Sequence, residues 1–195
     1  MKTIIFATKN KGKLEEIKEK LCEYDIKGME EIGVDVDIEE DGSTFEENAI
    51  KKAEEIMKIC NDIVVADDSG LEIDYLNKAP GVLSARFLGH ETSYEYKNNK
   101  ILDMLKDVTD AKRSARFVCA MAIAMPGRKT EVIRETIEGQ ISKQVLGENG
   151  FGYDPIFYIP ELDKTSAQLN MEEKNKISHR GKALEGVKQI LDNID

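Results

Sequence analysis

The sequence predicts one mixed α/β domain spanning residues 1–195. Three observations carry this. Apolar runs of strand length alternate with stretches striped at helical spacing; turn signals separate them without any linker or low-complexity tract; and a chain of 195 residues suits one well-buried core. No internal repeat is visible, which supports a single unit.

Lys2 to Thr8 forms a short apolar run suited to a buried strand, and Leu14, Ile17, Leu21 and Tyr24 then recur at helical spacing. A polar stretch from Asp35 to Gly42 precedes a helix with two possible start registers. Ser43 with Glu46, and Thr44 with Glu47, both fit a capping box. Phe45, Ala49, Ala53, Ile56, Met57 and Cys60 trace its inward face as far as Asn61. Ile63 to Ala66 reads as a strand, Asp67 to Gly70 interrupts it at its C-terminal end, and Leu71 to Asp74 resumes it. After a Pro80-Gly81 turn, a helix is expected from about Ser93 to Lys106. Ala115 to Met125 and Lys129 to Ile141 read as two strands of a hairpin joined through Pro126-Gly127. A glycine-punctuated loop leads to a short strand, Asp154 to Tyr158, with proline near its start. Leu184, Val187, Ile190, Leu191 and Ile194 stripe a closing helix, with Ser178 as its N-cap.

Composition narrows the class of function. An apolar fraction of 41% and a charged fraction of 34% are those of a folded protein. The longest apolar run, Phe117 to Met125, closes at Pro126, far short of the roughly 20 residues that span a bilayer. The N-terminal run is cut by Lys9 and is too short for an export signal, so the expected location is cytoplasmic. Cys22, Cys60 and Cys119 show no metal-ligand spacing and read as reduced core residues. With 28 basic against 38 acidic side chains, the net charge is -10, which disfavours nucleic-acid polymers. A phosphorylated small molecule would need local help, from clustered lysines, a helix N-terminus or a divalent metal.

Four segments can carry such chemistry. In Thr8-Lys9-Asn10-Lys11-Gly12-Lys13, lysines and small polar groups gather where helix N–H groups point outward; the spacing is not that of a P-loop, and a lysine-rich surface turn fits equally well. Glu39, Glu40 and Asp41, together with Asp67 and Asp68, supply oxygen ligands of the kind magnesium takes. Adjacent strand residues face opposite ways, so Asp67 and Asp68 have different jobs unless the chain turns there. Phe151-Gly152-Tyr153-Asp154-Pro155 sets two aromatics and an acceptor in a glycine-rich bend, as base stacking needs; Phe151 is the better placed, and Tyr153 fits the core as well as the pocket. Glu173 to Gly181 brings lysine, histidine and arginine to a helix start, where an exposed basic turn is the plainer account of the segment by itself.

In this order and spacing the four segments resemble the inosine triphosphate pyrophosphatase family, which hydrolyses deaminated purine nucleotides such as ITP, dITP and XTP. The matching motifs are Ala7-Thr8-x-Asn10-x-x-Lys13, Ala66-Asp67-Asp68-Ser69-Gly70, Gly150-Phe151-Gly152-Tyr153-Asp154-Pro155 and Ile177-Ser178-His179-Arg180-Gly181, and the resemblance covers essentially the whole chain. Lys9 is a departure, since many members carry glycine there. The resemblance implies an elongated, twisted mixed sheet with flanking helices in two lobes, a substrate cleft between them, and a homodimer.

It also implies site roles. The loop from Thr8 through Lys9, Asn10, Lys11 and Gly12 to Lys13 would hold the triphosphate, with Lys52 reaching it from the second helix. Glu39 and Asp68 would serve Mg2+, and Asp68 would also be the proton acceptor; the share of Asp67 in that role stays open. Ser69, Phe151, Gly152, Tyr153, Asp154, Lys174, His179 and Arg180 would line the nucleotide pocket. Hypoxanthine offers O6 as acceptor and N1–H as donor, the reverse of adenine. Arg180 or a backbone amide suits O6, and Asp154 suits N1–H. Two other readings remain: a septum-formation-type pyrophosphatase acting on modified pyrimidine triphosphates, and a nucleotide sensor without turnover.

Overall fold

The computed structural model describes residues 2–194. Their strands are β1 (Thr3–Phe6), β2 (Asp25–Gly28), β3 (Val64–Ile73), β4 (Ser114–Ala124), β5 (Glu131–Ile141), β6 (Phe157–Ile159) and β7 (Lys164–Thr165). Their helices are α1 (Lys11–Lys20), α2 (Phe45–Cys60), α3 (Tyr94–Met104), α4 (Met171–Ile177) and α5 (His179–Asp192). The seven strands form one sheet in the order β2-β1-β3-β4-β5-β6-β7. It is mixed: β1 runs parallel to β2 and β3, whereas β6 runs antiparallel to β5 and β7. Among the described residues no helix is long and apolar enough to cross a membrane.

Packing divides the chain into two compact units, and strands β3, β4 and β5 contribute residues to both. The first unit takes the chain up to Asp68, then Cys119–Glu135, then the chain from Arg180 onward. Its core joins Ile4 and Phe6 of β1, Val65 of β3, Met121 and Ile123 of β4, Ile17 of α1, and Leu184, Val187 and Leu191 of α5. The i, i+2 spacing on strands and i, i+3, i+7 spacing on the helix turn these side chains to a common interior. The parallel register Ile5↔Val64 and Phe6↔Val65 sets the end of β1 beside β3 just before Asp67. The loop into α1 therefore emerges next to that carboxylate.

Helix α2 resolves its two capping registers in favour of Thr44. Thr44 Oγ1 accepts from the Glu47 amide at 3.1 Å, while the Glu47 carboxylate accepts from the Ser43 amide and hydroxyl. The helix ends at Asn61, whose left-handed φ of 53° an asparagine tolerates.

Three local expectations need correction. Strand β3 runs unbroken through Asp67-Asp68-Ser69-Gly70, because it lies between β1 and β4 and its neighbours outweigh the weak strand propensity of Asp and Gly. Asp154 and Pro155 belong to a 3-10 turn, Asp154–Ile156, rather than to the strand that follows. A proline near the start of such a turn loses no needed N–H donor. Ser178 ends α4 and, with extended backbone, stands immediately before α5 at the N-cap position expected of it, while α4, a helix that spacing did not announce, is capped by Asn170 in a reciprocal box with Glu173. Of the cysteines only Cys119 is buried; Cys22 follows the end of α1 and is exposed.

The second unit, Ser69–Val118 with Thr136–His179, has its own core of Leu71, Ile101, Leu105, Phe117, Ile156 and Phe157. Arg113 is buried here among backbone carbonyls. Its guanidinium donates to Leu105 O, Ile141 O and Ser142 O at 2.5–2.7 Å, joining the end of α3 to the end of β5. Replacing it with methionine fills the space yet leaves three acceptors short of donors. Arg113→Met should therefore lower the unfolding free energy by about 2–4 kcal/mol, read as a lower urea midpoint at unchanged slope.

Candidate active site

In the first unit, the chain leaves β1 and caps α1 with its own side chains. Asn10 Oδ1 accepts from the Lys13 amide at 3.2 Å, and Thr8 Oγ1 accepts from the Asn10 amide at 3.1 Å. The loop has two faces. On one, Thr8, Lys9, Asn10 and Lys11 line a hollow of about 300 Å³ floored by Gly28, Met29 and Leu14. Lys9 points outward to the exposed Asp35, at 3.2 Å, an ion pair weak enough to exchange for another anion. On the other face, Lys13 in the first turn of α1 reaches Asp67 Oδ2 at 2.8 Å.

Unbroken β3 sends its two consecutive carboxylates to different partners. Asp67 meets Lys13 and, at 3.7 Å, the Arg180 guanidinium, whose other arm is paired with buried Glu16 at 2.5 Å. Burial pushes the Asp67 carboxyl upward, but Lys13, Arg180 and Lys52 together overcome it and hold it well below the usual carboxylate range. Asp68 accepts from Asn48 Nδ2 at 2.9 Å. Burial, helped by nearby Glu40, outweighs Lys52, Asn48 and Lys13 and pushes Asp68 up to about 6. The first aspartate is thus a permanent anion and the second titrates near neutrality.

Lys52, on α2, lies in the field of Asp67, Glu40 and Asp68. Although burial opposes its charge, these three raise its pKa. It pairs with Glu40 Oε1 at 2.5 Å. The extended chain before α2 alternates in exposure, leaving Glu39 outside and Glu40 half-buried. Glu40 is therefore the carboxylate whose field reaches Asp68, while Glu39 is exposed.

Two residues of this cluster were not anticipated from sequence. Asn48 accepts from the Gly42 amide at 2.8 Å through Oδ1, which fixes its Nδ2 as the donor to Asp68. A Cβ on Gly42 would sit 2.6 Å from that oxygen, so the glycine is needed for close approach. The available signal was an amide on the apolar stripe of α2. Glu16 gave a similar signal, being an acid beside Ile17 on the inward side of α1, where it now anchors Arg180.

In the second unit the other motif residues form a separate framework. Asp154 Oδ2 accepts from the Phe151 amide at 2.9 Å and from Lys174 Nζ at 2.8 Å. Lys174 Nζ also lies 4.8 Å from the centre of the half-buried Phe151 ring. Asp154 therefore shapes the bend through that oxygen. Gly150 and Gly152 adopt φ of 74° and 67°, and a Cβ on Gly150 would collide with Asp154 Oδ2 at 2.2 Å. Tyr153 belongs to the core: it is 4% exposed and donates its hydroxyl to Ser84 O at 2.7 Å. His179 is buried and stacks on Phe117 with ring centres 4.9 Å apart, while Ser69 is half-buried in β3. Arg180 falls in the first unit, where it is engaged with Glu16 and Asp67.

The donor set fits a hard divalent cation. Among the described residues no group of three or more metal-binding side chains is gathered, but Mg2+ is commonly held by one or two carboxylates completed by water and substrate phosphates. Glu40 and Asp68 lie close enough for each other's charge to be felt, with Lys52 between the carboxylates as a counter-charge that Asp67 also shares.

Comparison with known proteins shows the family. The Ham1 family model matches residues 4–190. A dITP/XTP pyrophosphatase of Bacillus licheniformis is 49% identical over 98% of this chain and 99% of its own length. Another, from Bacillus subtilis, is 48% identical over 98% of each. Among solved structures, the Staphylococcus aureus Ham1 protein superposes with a TM-score of 0.88 at 46% identity, covering 98% of both chains. A HAM1 protein from Coxiella burnetii gives 0.89 at 42% identity, covering 100% of both. With a family model spanning nearly all of it and relatives about half identical along their whole lengths, this chain belongs to the Ham1 family.

Proposed function

We propose that this protein hydrolyses deaminated purine nucleoside triphosphates, ITP, dITP and XTP, to the monophosphate and pyrophosphate, in a reaction that requires Mg2+. The observation that carries this reading is the division of labour between consecutive residues. Asp67 is held ionised against Lys13, while Asp68 titrates near neutrality beside Lys52 and Glu40. A group with that pKa is suited to accept a proton from water at physiological pH. Lys13, Lys52 and the N-terminus of α1 supply positive potential for the phosphates.

Charge counting supports the metal. Lys13, Lys52 and Arg180 face Asp67, Asp68, Glu16 and Glu40, three cations against four carboxylates. A bare triphosphate would meet a net negative cluster. Glu40 and Asp68 would hold the ion, which would supply Lewis-acid charge neutralisation for the triphosphate and its leaving pyrophosphate. Lys13 and Lys52 orient the polyphosphate, and Asn48 keeps the Asp68 carboxylate in place through a donated hydrogen bond. Phe151 is the stacking surface for the base, with Lys174 fixing its bend. The substrate class agrees with the dITP/XTP pyrophosphatase names of the relatives. A cytoplasmic, homodimeric enzyme that clears the nucleotide pool is the setting we infer.

The test is a panel of triphosphates with pyrophosphate and orthophosphate measured separately. Pyrophosphate should appear from ITP, dITP and XTP, with ATP disfavoured by about 100-fold or more, and chelation of Mg2+ should stop it. Asp68→Asn should lower kcat by about 10²–10⁴ while nucleotide binding stays measurable. Binding of ITP by wild type with release at background would favour a sensor, and preference for dUTP or dTTP over dITP would favour a pyrimidine enzyme.

The same residue should leave a mark on stability. Its folded pKa, about 6, exceeds the ordinary 3.8, so the folded protein binds this proton more tightly than the unfolded chain does. That favours folding at pH below the ordinary value and is lost as pH rises through about 6. Without metal or nucleotide, Asp68→Asn should therefore match wild type near pH 4 and be more stable by about 2–3 kcal/mol near pH 8. Denaturant unfolding at the two pH values measures the gap, and a gap of the same size at both would contradict the assignment.

A further inference from the structure

Helix α3 carries a face that no motif singled out. Tyr94, Lys97 and Asn98, at i, i+3 and i+4, all turn toward the Gly150–Asp154 bend and the Ser84-Ala85 segment. Asn98 Nδ2 donates to Gly152 O at 3.0 Å. Lys97, 1% exposed, donates to Ala85 O at 2.6 Å and lies over the Tyr94 ring. Tyr94 packs edge-on against Tyr153, whose hydroxyl donates to Ser84 O. The helix thus grips both carbonyl-bearing segments on which the bend rests.

The bond to Gly152 fixes a peptide plane as well as a carbonyl. The Gly152-Tyr153 peptide is trans, so its C=O and N–H point in opposite directions. With the carbonyl turned to Asn98, the Tyr153 N–H is turned away from α3. Among the described residues no backbone carbonyl accepts from that N–H. Asn98 is itself 3% exposed, and its Oδ1 meets no donor among the described residues. Leaving a buried acceptor unmatched is a cost that a packing role would not require. The amide cannot be reversed to relieve it, since Oδ1 would then face the Gly152 carbonyl.

We propose that Asn98 is a specificity-positioning residue. By holding the Gly152 carbonyl it aims the Tyr153 backbone N–H as a donor that a 6-oxopurine satisfies and a 6-aminopurine opposes. Adenine would set an amino group against that N–H, donor against donor, whereas hypoxanthine and xanthine offer O6. The inference rests on the proposed substrate class and adds the element that enforces it.

The substitution Asn98→Leu tests this with little change of shape. It exchanges one unmatched acceptor, Asn98 Oδ1, for another, Gly152 O, so stability should change little while the peptide loses its hold. Pyrophosphate release from ITP and ATP is compared for wild type and variant. The ratio of kcat/KM for ITP over ATP should fall about tenfold or more, through a raised KM for ITP, with kcat within about threefold of wild type. Asn98→Ala, checked as folded by thermal unfolding, carries the same expectation should the leucine variant not fold. Arg113→Met is the structural comparison, since it loosens the same unit without touching the bend and should leave the ratio unmoved. A folded Asn98 variant with the wild-type ratio overturns the proposal, as does an Arg113→Met ratio that falls equally far. Wild type showing no preference for ITP overturns instead the reading of function on which the proposal stands, and is seen before any variant is made.

Discussion

The period of a β-strand, applied to two neighbouring carboxylates in a central strand, governs the first unit. Asp67 and Asp68 are chemically identical and both buried, and burial alone would push both toward neutrality. What separates them is the side of β3 each occupies. One side offers Lys13 and Arg180, and the other Asn48 with the field of Glu40. Had the chain turned at these positions, both carboxylates could have shared one environment and repelled each other. Continuity of the strand through Gly70 is therefore a condition for two distinct protonation behaviours.

The surrounding elements follow from that condition. The parallel register of β1 with β3 delivers the start of α1 beside Asp67, and capping by Asn10 fixes the turn from which Lys13 extends. Helix α2 supplies Asn48 and Lys52, four residues apart and so one turn along the same side. Arg180, near the start of α5, joins Glu16 to Asp67. Such buried ion pairs contribute little net stability once desolvation is counted, and their worth lies in holding geometry. The residue left with the least counter-charge, Asp68, is the one whose ionisation weakens the fold, a common arrangement where function and stability compete.

Much of this was legible in the chain, and the omissions have physical reasons. Long periodic segments such as α2, α5, β4 and β5 announce themselves because burial repeats over many residues. Strand β2, with only the short run Asp25–Gly28, carries too little pattern to stand out. The break expected at Asp67-Asp68 came from local propensity, which a central strand overrides. The capping box at Asn170 was readable but introduces a helix as short as Met171–Ile177. In the candidate site, the motif residues were identifiable but their partners were not. Which of Glu39 and Glu40 faces inward depends on one residue of register, and spacing alone leaves that open. The pairing of Arg180 with Glu16, 164 residues away, which sets it beside Asp67, leaves no mark in local spacing.

The acidity of the chain also fits the proposed chemistry. A net charge of -10 and a cluster with one more carboxylate than cation repel an unaccompanied polyanion, whether a nucleic acid or a bare triphosphate. A divalent ion reverses the sign of that balance locally, so charge would admit a triphosphate only in company with metal. Electrostatics of this kind cannot distinguish one purine from another, since every nucleoside triphosphate carries the same phosphates. Base recognition must come from groups whose direction matters more than their charge. The second unit supplies these as a backbone bend tied by amides, aromatic edges and one internal ion pair. A donor fixed in a peptide plane cannot rotate to accommodate an amino group, whereas a hydroxyl or a long cationic side chain can. That rigidity makes the bend and the helix gripping it a better place to seek selectivity than the charged cluster proposed to hold the phosphates.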